Sequence, residues 1–395
     1  MAAWPLPARA RRRPALRRAA GGCLSARLTR RGAGGLLAAL AVQGPGAVRA
    51  QPQAADLGAI ARQNGVTFGA AVQDSLLQKD PEYARAFATE PGMLVPEWAA
   101  KWAALQPREG RFETAALDTI LRWGQAHAQP VRGHALVWHN SLPDWVAEAL
   151  KEGRERALAV LGAHMDFVLA HTRAQIRDWD VVNEMVANPP GSDQPQNTPG
   201  ELRDTPWLRA LGPGYVETAL RMARERDPTL RLTINEYGVS EDTPAAAEKR
   251  RRLLALVRGL LSRGVPLDAV GIQAHLQLAK PFRPEPFAAF VGALRQMGVA
   301  VLITELDIRE TWQAPQDMAA RDALVAERAY AFLSCALGAG VRTVLTWGLT
   351  DKYSWLTTDP GVALPGGRTH RGLPLDAQFR RKPMWDAMAR AFQGV

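Results

Sequence analysis

Eight apolar runs of strand length recur between residues 65 and 349, and the gaps between them read largely as amphipathic helices. The runs are GVTFGAAV (65–72), GMLVPE (92–97), VRGHALVW (131–138), DWDVVNE (178–184), LRLTINEY (230–237), AVGIQAHL (269–276), VAVLITELD (299–307) and VRTVLTWGL (341–349). Stretches such as AALDTILRWGQAHA and PFAAFVGALRQMG place Leu, Ala and Val at helical three- and four-residue spacing. Two of the helical patterns stop at glycine before the next run, in LSRG-VPLDAVGI and RQMG-VAVLI. Strand and helix in alternation require parallel strands joined by crossovers. Eight such units in residues 51–395 predict an α/β fold, a single-domain (β/α)8 barrel, whose usual size is ~250 residues plus insertions. An open doubly wound sheet would want a Gly-rich phosphate loop after its first strand, and GVTFGAAVQDS has no such pattern. The Pro-, Gly- and Asn-rich segment 187–200 reads as a long loop after the fourth strand, and no linker marks off a second folded unit.

Composition bears on partners. The formal net charge of +10 would suggest nucleic acid, but residues 1–50 contain ten Arg and no Lys, Asp or Glu, so the rest of the chain is near neutral. No nucleic-acid face is expected. Residues 1–50 run from an Arg-rich start through Thr29-Arg30-Arg31 and GAGGLLAALAV to VRA before Gln51, the pattern of an export leader, with a twin-arginine route preferred. The leader's apolar part is too short to span a bilayer, and no later run supplies the ~20 apolar residues that an integral membrane helix needs. Periplasmic or secreted placement is therefore expected. Of two Cys, Cys23 falls in the leader, which leaves Cys335 in YAFLSCALGAG as a structural thiol.

Polar and aromatic residues gather at the carboxyl ends of the runs. Glu97 follows the second; His134, Trp138 and His139 ride the third; Asn183 and Glu184 end the fourth; Asn235, Glu236 and Tyr237 the fifth. Gln273 and His275 close the sixth, Glu305 and Asp307 the seventh, and Trp347 the eighth. In a parallel barrel all these ends open on one face, where such folds carry their chemistry. Buried polar groups without partners cost ~1–3 kcal/mol each, so a repeated polar end is expensive unless it serves a site. Two glutamates across one mouth, Glu184 and Glu305, are suited to glycoside hydrolysis, one protonating the leaving oxygen and the other attacking the anomeric carbon. Asn183 is placed to bind a sugar hydroxyl, His275 to hydrogen-bond Glu305, and Asp307 to fix that imidazole. Trp98, Trp138, Trp347 and Trp355 offer faces to pyranose rings. A metal site on His134, His139 and His275 would want a tighter cluster such as H-x-H on one strand, and none is present. A carbohydrate-binding barrel without activity would keep the aromatics yet have no use for two carboxylates in different surroundings.

From about Gly65 to Phe392 the chain resembles the glycoside hydrolase family 10 endo-β-1,4-xylanases, through FGAAV, VPE…KW, RGHALVWHNSLPDWV, WDVVNE, INEY, GIQAHL, ITELDI and TWGLTDKYSW in order. The resemblance implies a cofactor-free, metal-free retaining hydrolase, acting as a monomer on xylan or xylo-oligosaccharides, with another β-glycosidase acting on β-glucan or aryl glycosides as the alternative. It implies Glu184 as acid/base, Glu305 as nucleophile, and Asn183, His275 and Asp307 as their support. Glu97, Lys101, His134, Trp138, Gln273, Trp347 and Trp355 match sugar-lining positions, and Tyr237 joins the substrate-binding set. Retention implies carboxyl groups ~5–5.5 Å apart and a raised pKa on Glu184. The chain departs from the family pattern at Trp98, where PEN is usual, at Asn140-Ser141, where WHSQLP is usual, at Gly238 and at Leu356. These departures fall at substrate positions and leave the preferred sugar open.

Overall fold

The computed structural model describes residues 55–193 and 200–395, so the leader and Cys23 lie outside the described residues. Among the described residues nine strands form one parallel sheet: β1 (Thr67–Val72), β2 (Leu94–Pro96), β3 (Val131–Val137), β4 (Ile176–Asn183), β5 (Arg231–Glu236), β6 (Ala269–Ile272), β7 (His275–Gln277), β8 (Ala300–Arg309) and β9 (Thr343–Thr346). The order runs β6-β5-β4-β3-β2-β1-β9-β8-β7, and β6 also pairs with β8, which closes the ring. All eight apolar runs of the sequence supply its strands.

The nine strands make an eight-stranded barrel because β6 and β7 are two halves of the sixth. Ala269 pairs with Ala300 and His275 with Asp307, so the register on β8 advances by one residue across the break. Ala274 takes a φ of 61° at that point, and the ladder is carried past it by Gln273 N–H donating to Glu236 O (3.0 Å) and Glu305 N–H donating to Gln273 O (2.9 Å). A bulge of this kind re-aims the side chains beyond it. Here the extra residue lies on β8, where the consecutive Thr304 and Glu305 both reach Asn235.

The outer helices form where the periodicity predicts them, and their ends obey local chemistry. Pro244–Ser262 begins with Pro at its first turn and with Thr243 Oγ1 accepting from Ala246 N–H at 3.1 Å. Met318–Gly338 is capped by Asp317, whose Oδ2 accepts from Ala320 N–H at 2.8 Å. Pro284–Gln296 gives way to Gly298, whose φ of 87° is open to glycine and strained for other residues. The helices bury Leu, Val, Ile and Phe against the outer face of the strands in one continuous core. Pro383–Gln393 completes that core, with Phe392 against Phe68 of β1 at 5.9 Å between ring centroids and Trp385 Nε1 donating to Glu90 at 2.9 Å. Cys335, on Met318–Gly338, is half-buried and donates to Pro284 O at 3.2 Å, in keeping with a structural thiol.

Inside the barrel the filling is polar as well as apolar. Arg132 of β3 forks onto both oxygens of Asp180 on β4 (2.5 and 2.6 Å) and approaches Asp178 at 3.2 Å, so a guanidinium buried in the ring is matched by acids on the next strand. Directly beside it, Gly133 lies against the indole of Trp179. A Cβ there would stand 2.2 Å from Trp179 Cδ2, and Trp179 is fully buried and has no room to retreat. Gly133→Ala is expected to lower the unfolding free energy by about 3 kcal/mol through overpacking, read as a fall in the denaturant midpoint at constant m; an unchanged midpoint contradicts the tight strand contact.

Candidate active site

The strand carboxyl ends open together, and there the sequence-predicted residues meet. Glu305 of β8 is held by both oxygens: Oε1 accepts from Asn235 Nδ2 of β5 at 2.7 Å, and Oε2 lies 3.1 Å from His275 Nε2 of β7. His275 Nδ1 faces Asp307 Oδ1 at 2.9 Å, and Asp307 Oδ2 accepts from Trp355 Nε1 at 2.6 Å. Burial works against charge on this imidazole, but Asp307 and then Glu305 outweigh it and push its pKa up to about 10. With a carboxylate at each nitrogen, His275 is an imidazolium that donates to both.

Glu184 stands on the next wall, immediately after β4, in a left-handed conformation with φ 58°. Two bonds fix its backbone: its N–H donates to Asn235 O (2.8 Å) and its carbonyl accepts from Arg203 Nε (2.9 Å). A non-glycine residue in this region costs ~1–2 kcal/mol and persists where the surroundings determine it. Gln273 Nε2 reaches both Glu184 Oε1 (3.3 Å) and Asn183 Oδ1 (3.2 Å), while Asn235 Nδ2 also donates to Asn183 Oδ1 at 3.0 Å. Glu184, Gln273, Asn183, Asn235 and Glu305 thus form one hydrogen-bonded chain from carboxylate to carboxylate. Because Asn183 Oδ1 receives two amide donors, its own NH2 is turned away from them and left for a ligand.

The remaining candidates occupy the walls. His134 is buried beneath the mouth, with Nδ1 at 2.9 Å from Asp180 Oδ2 and 4.0 Å from Glu305 Oε1, and its ring meets the edge of Trp347. Glu97 accepts from Gln73 Nε2 at 3.0 Å, and burial holds its pKa above the ordinary range. The Lys101 ammonium lies over Trp98 (5.7 Å), Trp138 (4.9 Å) and Trp347 (5.5 Å). Burial lowers its pKa, opposed by the fields of Glu305, Glu97 and Glu184. Trp347 and Trp355 pack on a buried cluster of Ala71, Val95 and Leu345.

Two expectations change. Glu184 does not carry a raised pKa in the free site: burial pushes it up, but the fields of His139 and Arg203, with the nearby indole N–H of Trp138 and the amide of Gln273, prevail, and the net shift is downward. Tyr237 does not offer its hydroxyl to the opening, because that oxygen bonds Arg203 (2.6 Å) and Asn188 (2.7 Å), with Lys249 over the ring at 3.6 Å. It braces Glu184 through Arg203. Arg203 itself, His139 (3.8 Å from Glu184 Oε2) and Asn235 complete the site and were not among the sequence-assigned site residues. Asn235 was within reach, as an amide at the end of a strand; Arg203 follows the irregular loop and carries no local signal. No group of three metal-ligating residues occurs among the described residues.

An eight-stranded parallel barrel with two carboxylates joined through amides at its mouth, walled by indoles, defines the class of (β/α)8 glycoside hydrolases. The sequence model described as Glycosyl hydrolase family 10 matches residues 56–391, and the chain belongs to that family. It is 32% identical over 346 residues to endo-1,4-beta-xylanase 1 of Humicola insolens, covering 86% of this chain and 75% of that protein. It is 30% identical to exoglucanase XynX of Acetivibrio thermocellus over 82% of this chain, which spans 28% of that longer protein. Among solved structures, xylanase 10B of Thermotoga petrophila RKU-1 in complex with xylobiose superposes with a TM-score of 0.76 at 26% identity, over 87% of this chain and 99% of that one.

The His275 cluster sets a pH expectation. Its folded pKa lies above the unfolded value near 6.5, so the stability it contributes is fully present below about pH 6.5 and is lost as pH rises through about 10. Imidazole NMR titration should show His275 still protonated at pH 8, and Asp307→Asn should move its midpoint down; an ordinary midpoint in the parent protein would contradict the two-carboxylate clamp.

Proposed function

We propose that the protein is a retaining endo-β-1,4-xylanase, with Glu305 as nucleophile and Glu184 as acid/base. The observation that carries the reading is the unequal treatment of the two carboxylates. Glu305 is held at both oxygens by Asn235 and His275, while Glu184 receives one amide donor at Oε1, at 3.3 Å, and has the His139 imidazole 3.8 Å from Oε2. A fixed oxygen pair suits attack at carbon, and a freer oxygen suits proton exchange. The xylobiose complex of the Thermotoga petrophila enzyme and the xylanase names of several relatives support the substrate. The Arg-rich leader supports export of the enzyme to meet a polysaccharide outside the cytoplasm.

In the first step Glu305 forms a bond to the anomeric carbon as the glycosidic C–O bond breaks, and Glu184 gives its proton to the departing oxygen. Positive charge grows on the ring as it leaves, between Glu305 and the NH2 of Asn183, which is placed for the 2-hydroxyl. In the second step Glu184, now a carboxylate, takes a proton from water, whose oxygen attacks the same carbon and releases Glu305. Two inversions give retention. Since Glu184 is ionised in the free site over most of the pH range, it must be reprotonated to act; substrate that expels water enlarges the burial contribution, the one that raises its pKa.

Xylan, cellulose and β-glucan should be compared directly, because one relative bears the name exoglucanase. Xylan is expected to be the best polymer, with β-anomeric products appearing first by 1H NMR; α-products first, or preference for cellulose, would overturn this reading. Glu305→Gln should lose about 10³-fold or more in kcat, over ~4 kcal/mol, on every substrate. Glu184→Gln should lose far less on an aryl glycoside, whose leaving group needs no proton, than on xylan. In the parent enzyme the alkaline limb of kcat/KM, which reports the free site, should lie at lower pH than that of kcat.

A further inference from the structure

Trp312, in the loop after β8, is 69% exposed, the most exposed of the large apolar side chains among the described residues. An indole on a slack loop would fold down onto the surface, but this loop is tied. Arg368 donates to the carbonyls of Trp312 (3.2 Å), Ala314 (3.1 Å) and Pro315 (3.2 Å), and Ala314 N–H closes a turn on Thr311 O at 3.1 Å. At the base of the loop Arg321 forks onto Glu310 (2.6 and 2.9 Å) and also donates to Thr369 O at 2.6 Å, while Arg371 N–H donates to Glu310 Oε2 at 2.6 Å. The backbone of the turn is thereby held by protein partners, and the indole is what it presents to solvent.

Its place on the barrel follows from topology. β8 carries Glu305 and Asp307 and ends at Arg309, so the loop that follows rises from the catalytic rim. The segment latched to it by Arg368 descends from Trp355, whose indole bonds Asp307. The loops after β8 and β9 therefore form one wall, with Trp355 at its catalytic end and Trp312 on the turn that Arg368 fixes. A xylopyranose ring has no hydroxymethyl arm and shows C–H groups on its faces, a surface that packs on an indole.

We propose that Trp312 is an outlying stacking site for a xylose unit of a polymeric substrate, remote from the bond being cleaved. The proposal rests on the xylanase reading. A chain of many sugars engages this indole; a short oligosaccharide held at the cleavage site does not reach it.

The test compares Trp312→Ala and Trp312→Phe with the parent on soluble arabinoxylan and on xylotriose. The Ala variant should lose roughly threefold to tenfold in kcat/KM on the polymer, mainly through KM, with xylotriose turnover and Tm unchanged, and Phe should restore most of the loss. In a Glu305→Gln background, retardation in a xylan-containing native gel should weaken on adding Trp312→Ala. A parent enzyme inactive on xylan defeats the proposed function. With an active parent, an unchanged ratio of polymer to xylotriose activity in Trp312→Ala defeats this inference alone. So does a parent dimer that Trp312→Ala dissociates while xylan kinetics stay the same, because the indole would then serve contact between copies of the chain.

Discussion

Everything at the mouth depends on the closing pair of the ring, the ladder between the sixth strand and β8. Ala269–Ile272 pairs with Ala300–Ile303, β8 takes one extra residue past Gln273-Ala274, and His275 resumes opposite Asp307. Without closure, Asn235 on β5 and Glu305 on β8 would sit on separate edges of a sheet; with it, one amide reaches both Glu305 and Asn183. Without that extra residue, period-two alternation would turn Glu305 away from the face on which Thr304 meets Asn235. The site is thus a product of global topology corrected by one local irregularity.

The electrostatics follow from the same enclosure. Glu97, Glu184, Glu305 and Asp307 crowd one opening, and like charges at such range raise each other's pKa unless cations intervene. The cations come from separate elements: His275 between Glu305 and Asp307, Lys101 from the segment after β2, and Arg203 behind Glu184. Lys249 stands further back, at 2.9 Å from Glu236. His139, by contrast, is pushed down to about 4 by burial and is neutral at pH 7, so it acts as a counter-charge to Glu184 only in acid, where the two titrate together. The arrangement sorts two chemically identical carboxylates by what lies within hydrogen-bond reach of each.

The barrel was legible because parallel strands buried on both faces read as short apolar runs, and their helices end in glycine or begin after Thr, Asp or Pro. Polar ends on seven of the eight strands could be seen for the same reason, since a polar group closing an apolar run breaks the pattern. What could not be read was anything fixed by distance in space. The split in the sixth strand exists only in its pairing with β8, and VAVLITELD shows no glycine or proline at the bulge to announce it. Arg203 lies beyond an irregular loop yet binds the Glu184 carbonyl, and with His139 it reverses the pKa direction that burial alone would give. A charge balance of that kind is a sum over neighbours that one-dimensional order does not contain.

Trp98 shows how such a sum can alter a site without touching its chemistry. The Lys101 ammonium faces three indoles, Trp98, Trp138 and Trp347, and among the described residues its contacts are ring faces instead of hydrogen-bond acceptors. Ring faces offset part of the cost of taking an ammonium out of water but accept no N–H bond with good geometry. Its donors therefore remain available to a sugar oxygen, and the fields of Glu97 and Glu305 favour the charged form against burial. An amide at position 98 would have competed with the substrate by accepting from Lys101 or by offering its own donor. An indole does neither, so this wall presents one ammonium framed by apolar surface, while Glu184 and Glu305 keep every bond described above.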